Sequence, residues 1–274
     1  MPLDEDERIR RRYGNEVRRL RNDAGMTQDS LAHRVGCSKS LISAIERGEA
    51  PLKGDIRSKL DEKLGYGQLD RLWEDLTGNG RQAWLSEFSQ LVREGASVFE
   101  YQMISFPGYL QTEEYAQAVI RNGVPWVTGD EVAAKATARA AETQRVVKAA
   151  TPILWCVVDQ TVLWRRFGSA AVMLGQLRFL EDLVQRGRLM LQMVRAASPT
   201  HPGNSGSFAV ITGHPKPVVY AESIHYGQFI TKMVDVEHYR LLFGRLQSEA
   251  EAVNETLKAL QQEIKRLDDE QHVA

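Results

Sequence analysis

The chain of 274 residues has only two cysteines, Cys37 and Cys156, far apart and in apolar surroundings. That excludes a disulfide scaffold and suits a reducing compartment. No apolar run approaches the ~20 residues that a membrane-spanning helix needs. The first residues, MPLDEDERIRRRYG, are charged and lack an apolar stretch, so they do not read as a secretory signal. Glycine (21) and proline (9) are too few for a collagen-like or low-complexity chain. Chemistry-bearing motifs are also missing. There is no Cys-x-x-Cys and no histidine pair at i,i+4, so no metal is expected. No phosphate-binding glycine loop and no Gly-x-Ser-x-Gly elbow occurs. The expectation is a cytoplasmic protein that is not an enzyme and uses no cofactor.

Net charge is also small, −1, but it hides an asymmetry. Residues 8–59 carry 13 Lys/Arg against 6 Asp/Glu, or +7, and the remainder carries 22 against 30, or −8. A basic segment suited to a polyanion thus precedes an acidic one. The arginines at 8, 10, 11 and 12 fit either an arm on phosphates or a solvated helix face.

Residues 8–76 read as a run of short helices. Ile9, Tyr13, Val17, Leu20 and Ala24 keep helical spacing up to Gly25. Thr27 is placed to cap a second helix, with Leu31, Ala32 and Val35 inward, and Ser38 a third that ends by Gly48. On this third helix Leu41, Ile42 and Ile45 share one face. Lys39, Ser40, Ser43, Ala44 and Arg47 share the other. Small side chains there let a helix enter a groove closely, and Lys and Ser offer donors to base edges and phosphates. The short Gly36-Cys37 turn makes the second and third helices cross steeply.

Thr77-Gly78-Asn79-Gly80 is the expected linker, dividing a domain at 1–78 from one at 81–274. Beyond it the pattern mixes strands (98–104, 153–158, 188–194, 207–211, 218–221) with helices (112–121, 130–149, 171–186 and about 227 onward). The fold class is therefore mainly α, followed by a mixed α+β domain. A stripe from Tyr239 through Phe243, Leu246, Ala250, Val253, Leu257, Leu260 and Ile264 to Leu267 repeats every 3.5 residues. It predicts one long amphipathic helix over about 237–270, either pairing between chains or packing on its own domain.

The segment TQDSLAHRVGCSKSLISAIERGE, with Arg18, Leu20 and Arg21 before it, resembles lambda-repressor-like, or Xre-type, helix-turn-helix regulators. The resemblance implies a five-helix domain with residues 38–47 in the major groove of an operator. Lys39, Ser40, Ser43 and Ala44 would face bases. Gln28, Ser38, Arg47 and Arg18 would touch phosphates, and Arg21 would pair with Glu46 for structure. A second resemblance covers roughly residues 81–270, through PGYLQTEEYAQAVI, VVDQTVLWRRFG, QLRFLEDLV, HPGNSGSFAVIT and VVYAES. These are similar to the uncharacterised domain of actinobacterial WhiJ-like regulators. That implies a transcription regulator whose second domain dimerises and senses a ligand or a small neighbouring-gene partner protein. The alternative is an antitoxin-like protein that sequesters such a partner and autoregulates. Asp159 and Glu222, which terminate predicted strands, and the histidines His201 and His225 form the candidate ligand or partner site.

Overall fold

A computed structural model of the chain describes residues 5–65, 67–77, 80–124, 127–213, 216–222 and 227–273. His225 and the linker residues Gly78 and Asn79 lie outside these. The chain divides into two compact units, Met1–Glu87 and Phe88–Ala274, so the division falls past the expected linker and inside helix α6 (Gly80–Glu94). No helix among the described residues is long and apolar enough to cross a membrane.

The first unit is built from α1 (Glu5–Asp23), α2 (Gln28–Val35), α3 (Lys39–Glu46), α4 (Gly54–Leu60) and α5 (Gln68–Leu76). The arginines at 8, 10, 11 and 12 lie on α1 itself, and Arg11 pairs with Glu7 at 3.0 Å. Tyr13, Val17, Leu31, Val35, Ile42, Ile45, Leu60 and Leu69 form the core. Two helix starts follow directly from local chemistry. The Thr27 hydroxyl accepts the Ser30 N–H at 3.1 Å and the Ser38 hydroxyl accepts the Leu41 N–H at 3.2 Å. Between them Gly36 takes a left-handed φ of 74°, a conformation that glycine enters without steric cost. α1 crosses α3 at Gly14, where a Cβ would stand 2.0 Å from the Ile45 carbonyl oxygen.

The second unit is a six-stranded sheet with helices on both faces. Its strands are β1 (Ser97–Gln102), β2 (Ile153–Asp159), β3 (Leu189–Val194), β4 (Phe208–Thr212), β5 (Val218–Ala221) and β6 (Gln228–Ile230), in spatial order β3-β2-β1-β4-β5-β6. β1, β2 and β3 are parallel; β4, β5 and β6 join antiparallel. The crossover from β1 to β2 carries α7 (Glu113–Gly123) and α8 (Gly129–Lys148), and that from β2 to β3 carries α9 (Thr161–Trp164) and α10 (Ala170–Gln185). Both crossovers step the same way along the sheet, so a common handedness puts their helices on one face. There Leu154, Cys156, Val158, Leu191 and Met193 meet Tyr115, Val146, Leu177 and Leu180.

Two expectations are corrected. The segment from about 227 is not helical at its start, because Gln228–Ile230 hydrogen-bonds to β5 as an edge strand. The 3.5-residue stripe is not one helix over 237–270. The chain does end in a long helix, α12 (Val253–Val273), but α11 (Met233–Glu249) is separate from it. Around the break Glu251 N–H donates to Met193 O at 2.8 Å and Gln192 Nε2 donates to Glu251 O at 3.1 Å. The chain thus turns round edge strand β3. Phe243 and Leu246 pack on one face of the sheet, while Leu260, Ile264 and Leu267 pack on the other.

Candidate nucleic-acid interface

α3 presents two unlike sides. Ile42 and Ile45 are buried in the core, whereas Lys39, Ser40 and Arg47 are exposed and Ser43 and Ala44 half-buried. The exposed side is ordered by short hydrogen bonds. The Ser38 and Ser40 hydroxyls lie 2.9 Å apart. Arg47 donates to the Ser43 hydroxyl at 2.5 Å and to the Glu49 carboxylate at 2.7 Å. Lys39 makes no ion pair among the described residues. It stands at the first turn of a capped helix, where backbone N–H groups add positive potential.

Glu46 fixes how α3 is held. Its carboxylate has no exposed surface, yet it accepts from Arg21 Nε at 2.5 Å, Arg21 Nη2 at 3.1 Å and Gln28 Nε2 at 2.8 Å, with Arg18 Nε at 3.6 Å. Burial by itself would raise the carboxyl's pKa. The hydrogen bonds from Arg21 and Gln28 and the charges of Arg21 and Arg18 outweigh it and hold the group below the ordinary glutamate range. Arg21 also donates to the Met26 carbonyl at 2.7 Å, so one guanidinium ties the end of α1, the turn before α2 and the end of α3 together. Gln28 spends one N–H on Glu46, and Arg18, about half exposed, leans on the same carboxylate.

The second unit brings together only part of its candidate set. The β3–β4 connection must travel from the far edge of the parallel strands to the other side of β1, so it runs over their C-terminal ends. There His201 Nε2 lies 3.0 Å from Asp159 Oδ2, off the hydrogen-bond axis, while Nδ1 accepts the Gly203 N–H at 3.0 Å. Nδ1 is therefore unprotonated and the ring proton sits on the nitrogen facing Asp159. The Tyr101 hydroxyl donates to Gly203 O at 3.3 Å and Gln160 Oε1 accepts the Ala196 N–H at 3.1 Å, pinning the same loop. His201 Nδ1 is taken up by the Gly203 N–H and Nε2 faces Asp159, while the Ser207 hydroxyl accepts the Met103 N–H at 3.2 Å. Glu222 is exposed and its charge bears instead on Glu100.

Glu100 is the residue that spacing alone missed. Its signal was present: a lone acid at an inward strand position in Ser97–Gln102. The side chain is buried, with Oε2 accepting from the Tyr109 hydroxyl at 2.6 Å and Oε1 from Gln102 Nε2 at 2.7 Å. Desolvation pushes its pKa up to about 7, against the pull of those two donors and with help from the Glu222 charge. A buried acid raised in this way favours folding below its ordinary pKa of 4.5, and that advantage is gone once the pH has risen past about 7. The interval between the two values, at ~1.4 kcal/mol per pH unit, makes about 3 kcal/mol. Glu100→Gln is expected to match the wild type in thermal unfolding at pH 4 and to unfold several degrees higher at pH 8. Equal midpoints at both pH values would show that Glu100 does not carry a buried charge.

Two family models match the chain. A helix-turn-helix domain matches residues 12–71, from within α1 to the first residues of α5. The chain accordingly carries a module of the DNA-binding class and is a DNA-binding regulator in that coarse sense. A domain of unknown function, DUF5753, matches residues 85–262, well over half the length, and the chain belongs to that family. No curated protein and no solved structure matches it.

Proposed function

We propose that the protein is a sequence-specific transcription regulator of the Xre type, with a WhiJ-like second domain. The observation that carries this reading is the two-sided α3, clamped by Glu46 and Arg21 from behind and open at Lys39, Ser40, Ser43 and Ala44 in front. In this reading those four residues meet base edges. Arg47, Gln28, Ser38 and Arg18 position the unit on phosphates. The Arg47–Glu49 pair opens as the guanidinium turns to a phosphate, and the exposed Arg8 and Arg12 add to the local positive field.

One short recognition helix reads few base pairs, so the operator is taken to be two-fold and the protein to act as a dimer. The second domain would receive a ligand or partner that alters how the two recognition helices are presented, which requires different affinity for the two states. Catalysis plays no part in this reading. Duplexes selected from a random pool by the full chain should converge on a palindromic consensus, with half-sites about one helical turn apart, ~34 Å. Affinity should fall steeply as salt rises, because phosphate contacts release counterions. A pool that stays random, or binding indifferent to salt, would contradict the proposal.

A further inference from the structure

α11 covers the sheet face opposite α7, α8, α10 and α12, burying Val236, Phe243 and Leu246. Its outer side is not the polar surface that a one-sided helix should show. Leu241 is 72% exposed and Val234 59% exposed. At 100° per residue, Val234, Leu241 and Ser248 fall on one outward line. Glu237 and Gly244 flank it on one side and His238 and Arg245 on the other, and all seven are exposed.

The order of these residues has a centre. Four positions before Leu241 stands Glu237, and four after it Arg245. Three before stands His238, with its bulk, and three after Gly244, with none. An antiparallel copy turned about a two-fold axis through Leu241 brings position 241 − n into the same layer as the partner's 241 + n. Leucine then meets leucine at the axis. Acid and base share a layer on either side, and the missing side chain of Gly244 leaves room for close approach. Within one chain these charges are poorly used: Glu237 makes only a half-exposed i,i+3 pair with Arg240 at 3.3 Å, and Arg245 has no ion-pair partner among the described residues.

We propose that α11 is a self-association surface, through which two copies of this chain pair antiparallel with Leu241 against the partner's Leu241 and Glu237 beside the partner's Arg245. The occupant is a second copy because the charge pattern is complementary to itself. The biological use of the pair rests on the two-fold operator reading above, but the pairing stands without DNA. A stripe from Val234 to Ser248 is about 21 Å long at 1.5 Å per residue. Such a contact is at the small end of specific interfaces.

The test is sedimentation equilibrium of the full chain without DNA, from about 1 to 100 µM. Wild type should show a monomer–dimer equilibrium, and Leu241→Glu should stay monomeric throughout. Glu237→Arg and Arg245→Glu should each weaken the dimer about tenfold or more. The two together should restore it to within about threefold of wild type. All three positions are exposed, so helix content and unfolding midpoint should not change. A monomer at every concentration, a dimer unaffected by Leu241→Glu, or a double variant no stronger than the singles would overturn the proposal. Binding of monomeric Leu241→Glu to a single half-site, titrated separately, reports on the DNA reading and not on this one.

Discussion

Gly14→Ala should strongly destabilise the first unit while leaving the second intact. The added methyl would stand 2.0 Å from the Ile45 carbonyl oxygen, with the Glu46 carbonyl carbon 3.1 Å away. These are backbone atoms, so no rotamer change relieves the clash. The two helices must separate, and that pulls Tyr13 and Val17 away from Ile42 and Ile45. Overpacking commonly costs 1–3 kcal/mol where side chains can yield. Here about 3 kcal/mol or more is expected, a large share of the 5–15 kcal/mol that stabilises a typical domain. The unfolding midpoint of α1–α5 should fall sharply, DNA affinity should drop, and hydrogen exchange in β1–β4 should stay as in wild type. A variant that keeps wild-type DNA affinity would show that α1 and α3 do not cross at Gly14.

Glu46→Ala is the second large effect, and it has a pH signature. Removing the carboxylate leaves Arg21, with only 11% of its side chain exposed, facing a void with one carbonyl acceptor. Breaking a buried pair by deleting one partner typically costs 3–5 kcal/mol, mostly as the penalty of the orphaned charge. Because the folded carboxyl titrates below its ordinary value of 4.5, its contribution is present above that pH and is lost as the pH falls through the folded value. The wild-type first unit should therefore weaken on acidification, and Glu46→Ala should lack that part of the slope. The second unit carries the opposite tendency in Glu100, whose contribution favours the acid side. Unfolding followed by amide exchange in each unit across pH 3.5–8 should show the two slopes with opposite sign. Parallel slopes would contradict one of the two assignments.

What could be read before the fold was known follows the range of the interaction. Thr27 and Ser38 were legible as caps because a cap is a bond between residues three apart. The inward and outward sides of α3 were legible because helical period fixes them once the helix exists. The strand segments were mostly legible from composition, but their order was not. Nothing local says that β4 lies beside β1 or that the β3–β4 connection crosses the sheet end and lays His201 on Asp159. The tight crossing at Gly14 is equally silent, since a lone glycine inside a helical pattern looks like an ordinary weak spot. The 3.5-residue stripe is the clearest case of a correct period with an incomplete meaning. Periodicity shows that one side of a helix is covered but not by what, so two helices on opposite sheet faces, joined round β3, gave the pattern of one. Glu100 was passed over for a related reason: an acid in a strand costs little to explain when the other face is assumed to be wet.

The account turns on the outward side of α3, and Lys39 tests it most directly. Lys39→Ala should fold as wild type, since the side chain is exposed and bonded to nothing described. Its affinity for the selected consensus should drop by 1–3 kcal/mol, roughly 5- to 150-fold, while its affinity for random duplex at the same salt changes far less. The variant's own selected consensus should relax at one position in each half-site. An equal loss on consensus and random DNA, or no loss on either, would show that this side of α3 does not read the bases.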